Sequence, residues 1–335
     1  MFENSGGGAA GLTFRRRCSL LAARAVATLC ALWLATAIAE TTPRCPPAPA
    51  QPSAAQLRAA QAQDRGLLWR LERDGRSSYL YGTVHVGRPE WREPGPLVAA
   101  ALAQSEVLAL EIDPAAPMVP PGAAASAASA GVPAPVLPAA LRARLARQIA
   151  AACLREGAFG NLHPALQVVV LALLEARWLG LDAEHAQERT LAQHARAAGR
   201  PVVALENVAQ QAALLVPADA AAALTQVEQT LAQLEDGSGR AALERLVQAW
   251  ERGDLATLED HALWCQCVGT EAERALMRVL NDERNPGLAK GIEALHAQGR
   301  PVFAAVGALH MTGPAALPRL LAERGFRVER VPLQR

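Results

Sequence analysis

Apolar and polar positions alternate twice near Leu67, and these two runs set the frame of the fold. Leu68-Trp69-Arg70-Leu71-Glu72 and Ser78-Tyr79-Leu80-Tyr81 each alternate, and Asp74-Gly75 between them supplies a hairpin turn. The second strand runs directly into Gly82-Thr83-Val84-His85. Beyond Pro94-Gly95-Pro96, an apolar helical run from Leu97 to Leu102 precedes Val107-Leu108-Ala109-Leu110-Glu111-Ile112-Asp113. That run is short, apolar and bounded by turn residues, which predicts a buried strand packed by the preceding helix. Strand, Gly-x-x-His turn, helix and strand make one βαβ unit.

From Ala139 the period becomes helical. Leu141, Leu145 and Ile149 form one stripe and Leu171, Leu174 and Trp178 another, with Gly180 and Gly199 as punctuation. A strand at Val202-Val203-Ala204-Leu205 ends in Glu206, and helical spacing then resumes to about His296. The order of the first unit returns at the C-terminus: strand Val302 to Val306, turn Gly307-Ala308-Leu309-His310, helix near Ala315 to Arg324, strand Phe326 to Val331. The expected class is α/β: a mixed, largely parallel sheet built from two βα units bearing Gly-x-x-His, with a large central helical insertion, a cap over about 139–298. Residues 65–335 form the single domain, and the Pro/Ala/Gln-rich 40–64 reads as a disordered tether. The Ala/Pro/Gly-rich 114–138 reads as a surface loop or lid.

Composition narrows the partners. With 33 Lys plus Arg against 32 Asp plus Glu, the chain has no basic excess to hold a nucleic-acid backbone. Arg15-Arg16-Arg17, an apolar stretch from Ala25 to Thr36 and Ala37-Ile38-Ala39 have the order of a cleaved signal peptide over 1–39. Export to the periplasm follows, with no stable membrane anchor after cleavage. The expected mature chain keeps Cys45, Cys153, Cys265 and Cys267. In an oxidising compartment one disulfide is expected, Cys153 with Cys265 or Cys267; free thiols and a Cys265/Cys267 metal pair are the alternatives.

The candidate chemistry stands at strand ends, where open parallel sheets gather functional groups. His85 and His310 each follow a glycine by three residues, and Glu111 and Glu206 each close an apolar strand. An acidic side chain there is costly to bury without a partner. Two imidazoles and a carboxylate suit zinc, manganese, iron or cobalt. His163, His185, His194, His261 and His296 fall in helical stretches and read as solvated surface, and Asp282-Glu283-Arg284-Asn285 as a charged turn. There is no nucleophile elbow, phosphate loop or dinucleotide fingerprint.

Tyr79 to Gly87, the strand with Glu111, Val202 to Glu206 with Gln210, Trp250-Glu251-Arg252-Gly253-Asp254, Asp282 to Asn285 and Val306 to His310 together resemble the TraB/GumN family. The resemblance spans Leu67 to Val331 and implies a Tiki-like fold related to erythromycin-esterase and ChaN-like proteins. Tiki members are metal-dependent proteases that use manganese or cobalt. By that likeness His85, Glu111 and His310 are metal ligands, Glu206 a further ligand or general base, and Arg284 a cation that orients substrate or stabilises the transition state. The segment after Asp113 departs from the family pattern and bears on the substrate entrance.

The leading expectation is an exported metal-dependent hydrolase, protease-like, acting on a peptide or small molecule with a divalent Mn, Co or Zn ion. The alternative is a periplasmic binding protein holding a small ligand, peptide or haem-like group without catalysis. A third reading is a scaffold in which these residues only build structure.

Overall fold

The computed structural model describes residues 45–61, 63–115, 134–217 and 219–333. The expected signal peptide lies outside the described residues, as does most of the segment after Asp113 (116–133).

The sheet is built from β1 (Leu67–Arg73), β2 (Arg76–Thr83), β3 (Val107–Leu110), β4 (Val202–Ala204), β5 (Val302–Gly307) and β6 (Arg327–Val331). Their order is β4-β3-β5-β2-β1-β6. The β1–β2 hairpin turns on Asp74 (φ 53°) and Gly75 (φ 72°), the pair of left-handed residues that a two-residue turn needs to match strand twist. β2, β5, β3 and β4 run parallel, and β1 and β6 close the far edge antiparallel. Every residue of β3 and β5 is buried, as their unbroken apolar runs require of strands covered on both faces. The sheet is therefore mixed and mostly parallel, with both histidine-bearing turns at the ends of neighbouring strands.

Helices follow in chain order: α1 (Ala54–Gln61), α2 (Pro96–Ala103), α3 (Ala139–Ala151), α4 (Pro164–Leu174), α5 (Gln187–Ala197), α6 (Val208–Leu214), α7 (Ala220–Asp236) and α8 (Ser238–Glu251). Two short ones, α9 (Leu255–Glu259) and α10 (His261–Trp264), lead to α11 (Glu271–Met277), α12 (Asn285–Ala297) and α13 (Leu317–Glu323). The main core joins the sheet to Val98 and Leu102 of α2, Leu191 and Ala195 of α5, Leu288 and Ile292 of α12, and Leu317 and Leu321 of α13. A separate cluster of Leu141, Leu145, Val168, Leu171, Val227 and Leu231 ties α3, α4 and α7 into the helical insertion. Trp250, at the end of α8, is fully buried and its indole N–H donates to the Gly82 carbonyl at 2.7 Å.

Two expectations are corrected. Part of the segment read as a disordered tether is a docked helix: Ser53 and Gln56 cap α1 reciprocally, Ala60 is buried, and the Asp64 carboxylate accepts from the Leu97 and Val98 amides at 3.0 and 3.2 Å, capping α2. The disulfides are Cys45–Cys153 and Cys265–Cys267, not Cys153 with either C-terminal cysteine. Cys153 lies 5.5 Å, Cα to Cα, from Cys45, a span that suits a bridge.

Candidate functional site

The carboxyl ends of the four parallel strands carry the site. β3 stops at Leu110 and β4 at Ala204, but backbone pairing continues: the Leu205 amide donates to the Leu110 carbonyl at 2.7 Å and the Glu206 amide to the Glu111 carbonyl at 2.9 Å. Glu111 and Glu206 thus leave the sheet side by side. β5 passes through Gly307 into a 3-10 turn, Ala308–Met311, that holds His310, and β2 passes through Thr83 to His85.

Arg284, at the N-terminus of α12 and just after a π-helical turn (Arg278–Asp282), binds the two carboxylates together. Its Nε donates to Glu206 Oε1 at 2.9 Å, and its Nη2 donates to both Glu111 Oε2 and Glu206 Oε2. The Gln211 amide on α6 donates to the same two oxygens at 3.0 and 2.9 Å. Glu111 Oε1 accepts the Gly307 N–H at 2.6 Å. Burial alone would raise the Glu111 carboxyl, but the fields of His85, His310 and Arg284 and the Gly307 amide outweigh it and hold it at about 2. Burial opposes the Arg284 charge, and the two carboxylates more than offset that, raising its pKa.

Each histidine is fixed by its far nitrogen. The Asn285 side-chain amide donates to the Ala315 carbonyl at 2.8 Å and to the His310 carbonyl at 3.2 Å, so its oxygen faces His310 Nδ1, 2.6 Å away, as an acceptor. Nδ1 then carries the proton, and Nε2 presents a lone pair 3.9 Å from Glu111 Oε2. Burial pushes His310 down to about 4, so the ring is neutral at neutral pH. His85 Nδ1 lies 3.0 Å from Glu188 Oε1 on α5, which also accepts the Thr83 hydroxyl. The Glu188 charge lifts His85 to about 9 although its side chain is 65 % exposed.

Gly307 forms the floor between these groups. A Cβ added there would lie 3.2 Å from Glu111 Oε1, 3.4 Å from His85 Nε2 and 3.6 Å from His310 Cδ2. The absent side chain leaves the space on which one carboxylate and two imidazoles converge.

Imidazole and carboxylate groups are donor types that divalent metals take. Three carboxyl groups, Glu111, Glu188 and Glu206, stand against the Arg284 guanidinium and the His85 ring, which must shed a proton before it can hold a metal. One buried oxygen, Glu188 Oε2, has no hydrogen-bond partner among the described residues. Both imidazoles have the outer partners that orient metal ligands. Among the described residues, only His261, Cys265 and Cys267 hold three donor atoms within 4.8 Å of one another, so an ion at the sheet rim would have to draw His85, Glu111 and His310 closer.

All five residues singled out in the sequence, His85, Glu111, Glu206, Arg284 and His310, meet at this rim. Glu188, Gln211, Asn285 and Thr83 were missed. Asn285 adjoins Arg284 in a segment that looked like a solvated turn, and Gln211 is the neighbour of the Gln210 noted in the sequence. Two of the remaining histidines are not surface groups: His163 is 1 % exposed and caps α4, and His296 is fully buried, bonded to the Ser78 hydroxyl at 2.8 Å and edge-on to Phe326. Burial lowers the pKa of both, and of His261.

A family model described as TraB/PrgY/gumN matches residues 67–330. The chain belongs to the TraB/PrgY/gumN family. The matched span begins at β1 and ends within β6, so it takes in the sheet, the insertion and the rim residues His85, Glu111, Glu206, Arg284 and His310. No curated protein and no solved structure gives a significant match.

Proposed function

We propose that this TraB/PrgY/gumN chain is an exported hydrolase acting on peptides, with a divalent Mn, Co or Zn ion held by His85, Glu111 and His310. The observation that carries the reading is the convergence of those three side chains over Gly307, each already oriented from behind by Glu188, Arg284 and Asn285. When bound, such an ion polarises a carbonyl and lowers the pKa of a water. Glu206, once released from Arg284, would be the base that accepts a proton from an attacking water. Arg284, tied at Nη1 to the Leu280 carbonyl at 2.8 Å, then faces the carbonyl oxygen on which negative charge develops. His310 presents a neutral Nε2 and Glu111 an ionised carboxylate, so neither has to lose a proton before it acts as a donor. Export rests on the arginine cluster, apolar stretch and Ala-x-Ala of the N-terminus, and the two disulfides suit an oxidising compartment.

Elemental analysis of the purified protein, beside His85→Ala and His310→Ala variants and with a mixed peptide library as substrate, tests the reading. One metal equivalent and cleavage are expected in the parent, and both are lost in the variants. Full metal content in the doubly substituted protein would overturn it. A second reading, ligand binding without turnover, draws on the Arg284 clamp, which already engages both Glu206 oxygens. A ligand retained through purification with no cleavage under any added metal would favour it.

A further inference from the structure

Away from the sheet rim, α10 and the turn after it gather three groups that hydrolysis does not use. Cys265 and Cys267 are bridged, and His261 Nε2 lies 3.5 Å from Cys267 Sγ. His261 and Cys265 are one helical turn apart on a common face. Their donor atoms and that of Cys267 all lie within 4.8 Å of one another.

The bridge is built to open. It spans a single residue, Gln266, whose φ of 53° is a left-handed conformation that a side chain adopts at a cost. Cross-linking stabilises a fold chiefly by restricting the unfolded chain, and that effect is smallest when the closed loop is short, here a sequence separation of 2. The Cys45–Cys153 bridge, at a sequence separation of 108, is the opposite case. Access is one-sided: Cys265 is 8 % exposed, whereas Cys267 is half-buried and Gln266 exposed. The Cys267 backbone N–H donates to Cys265 Sγ at 3.1 Å, a donor already placed to stabilise a departing Cys265 thiolate.

We propose that Cys265–Cys267 is a reducible bridge whose dithiol form, with His261, binds a thiophilic transition-metal cation, Zn²⁺ or Cu⁺. The reductant is a dithiol of the thioredoxin class. Its first thiolate attacks Cys267 Sγ, forming a mixed disulfide and releasing Cys265 as thiolate. Its second thiol gives up its proton to solvent and attacks the mixed disulfide on the reductant's own sulfur, releasing Cys267. Two electrons pass to the bridge and the reductant leaves as a disulfide. The cation then takes both sulfurs as thiolates, displacing any protons they hold. Geometry supports the donor set: an ion with metal–sulfur bonds of about 2.3 Å and metal–nitrogen bonds of about 2.0–2.1 Å in tetrahedral array separates S from N by about 3.6 Å, against 3.5 Å between Cys267 Sγ and His261 Nε2. Three protein donors leave one position open.

The test uses the full mature chain, oxidised or treated with a graded dithiol. Alkylation with peptide mapping reads which cysteines open, and competition with chromophoric chelators, one arm for Zn²⁺ and one for Cu⁺, reads binding. Cys265 and Cys267 are expected to alkylate at lower reductant than Cys45 and Cys153. Reduction should add one equivalent of Zn²⁺ or Cu⁺ above the oxidised baseline, and the arm that responds identifies the ion. That increment should vanish in a Cys265→Ser/Cys267→Ser protein and weaken at least tenfold in His261→Ala. The baseline subtracts any metal at His85, Glu111 and His310, so this result stands or falls apart from the proposed hydrolysis. A bridge that resists reduction until Cys45–Cys153 opens overturns the proposal, as does an opened bridge that adds neither ion.

Discussion

Asn285 holds His310 at two points, accepting the ring Nδ1 proton across 2.6 Å and donating to the backbone carbonyl of the same residue at 3.2 Å. One side chain thus sets both tautomer and position of a ring 4 % exposed. Asn285→Ala should cost about 1–3 kcal/mol by leaving buried polar groups unpaired, measured by urea denaturation. It should also lower metal affinity or hydrolysis about 10–100-fold. Stability loss with undiminished metal binding would mean that Asn285 serves the fold alone.

Removing Arg284 leaves Glu111 and Glu206 facing each other without their shared cation. Arg284→Met is expected to destabilise by about 3–5 kcal/mol, as when one partner of a buried pair is deleted. Adding Glu111→Gln and Glu206→Gln to that variant should restore most of the loss, because no buried charge then lacks a partner. Thermal melts of the single and triple variants decide it.

Gly307→Ala separates site from fold. With φ at −48° the backbone tolerates a side chain, so folding should survive with a small change in melting temperature. The new methyl stands 3.2 Å from Glu111 Oε1 and 3.4 Å from His85 Nε2, and hydrolysis should fall at least a hundredfold. An active Gly307→Ala enzyme would place the reaction elsewhere.

Stability should depend on pH at both ends. His85 is raised to about 9, so its contribution is complete below its ordinary value near 6.5 and is lost as pH climbs through 9. His310, lowered to about 4, works in the other direction: the unfolded ring takes up a proton first, and stability falls as pH drops from about 6.5 toward 4. Glu111, lowered to about 2, adds a second loss as pH falls from about 4.5 through 2. Denaturation across pH should therefore show an alkaline limb that His85→Gln flattens and an acid limb that it makes shallower, because the His85 charge helps to depress both Glu111 and His310.

Much of this frame is legible in one sequence because local pattern decides it. The Asp74-Gly75 turn, the apolar runs of β3 and β5 and the glycines before His85 and His310 are signals within a few residues. The partners that complete the site are not local. Glu188 sits in the first turn of a helix, 105 positions from the Thr83 hydroxyl it accepts, and nothing in its own neighbourhood marks it. Arg284 and Asn285 look like a charged turn until α12 carries them to the rim. The cysteines illustrate the same limit, since four allow three pairings and only the folded path brings Cys45 to Cys153. Composition misled in the tether, where an Ala/Gln-rich run with little apolar patterning is still a helix once Ser53 and Gln56 cap it and Ala60 finds the core.

The strand order β4-β3-β5-β2 has one more consequence. Adjacent strands lie about 4.8 Å apart, so the strand ends that carry Glu206, Glu111, His310 and His85 form a row of roughly 14 Å, three strand spacings, from which the side chains of Glu111, His310 and His85 lean in toward Gly307. That row is polarised, with two carboxylates clamped by a guanidinium at one end and an imidazole paired to Glu188 at the other. A chain lying across it in one sense meets these groups in the reverse order from a chain lying in the other, which gives the surface a built-in sense of direction.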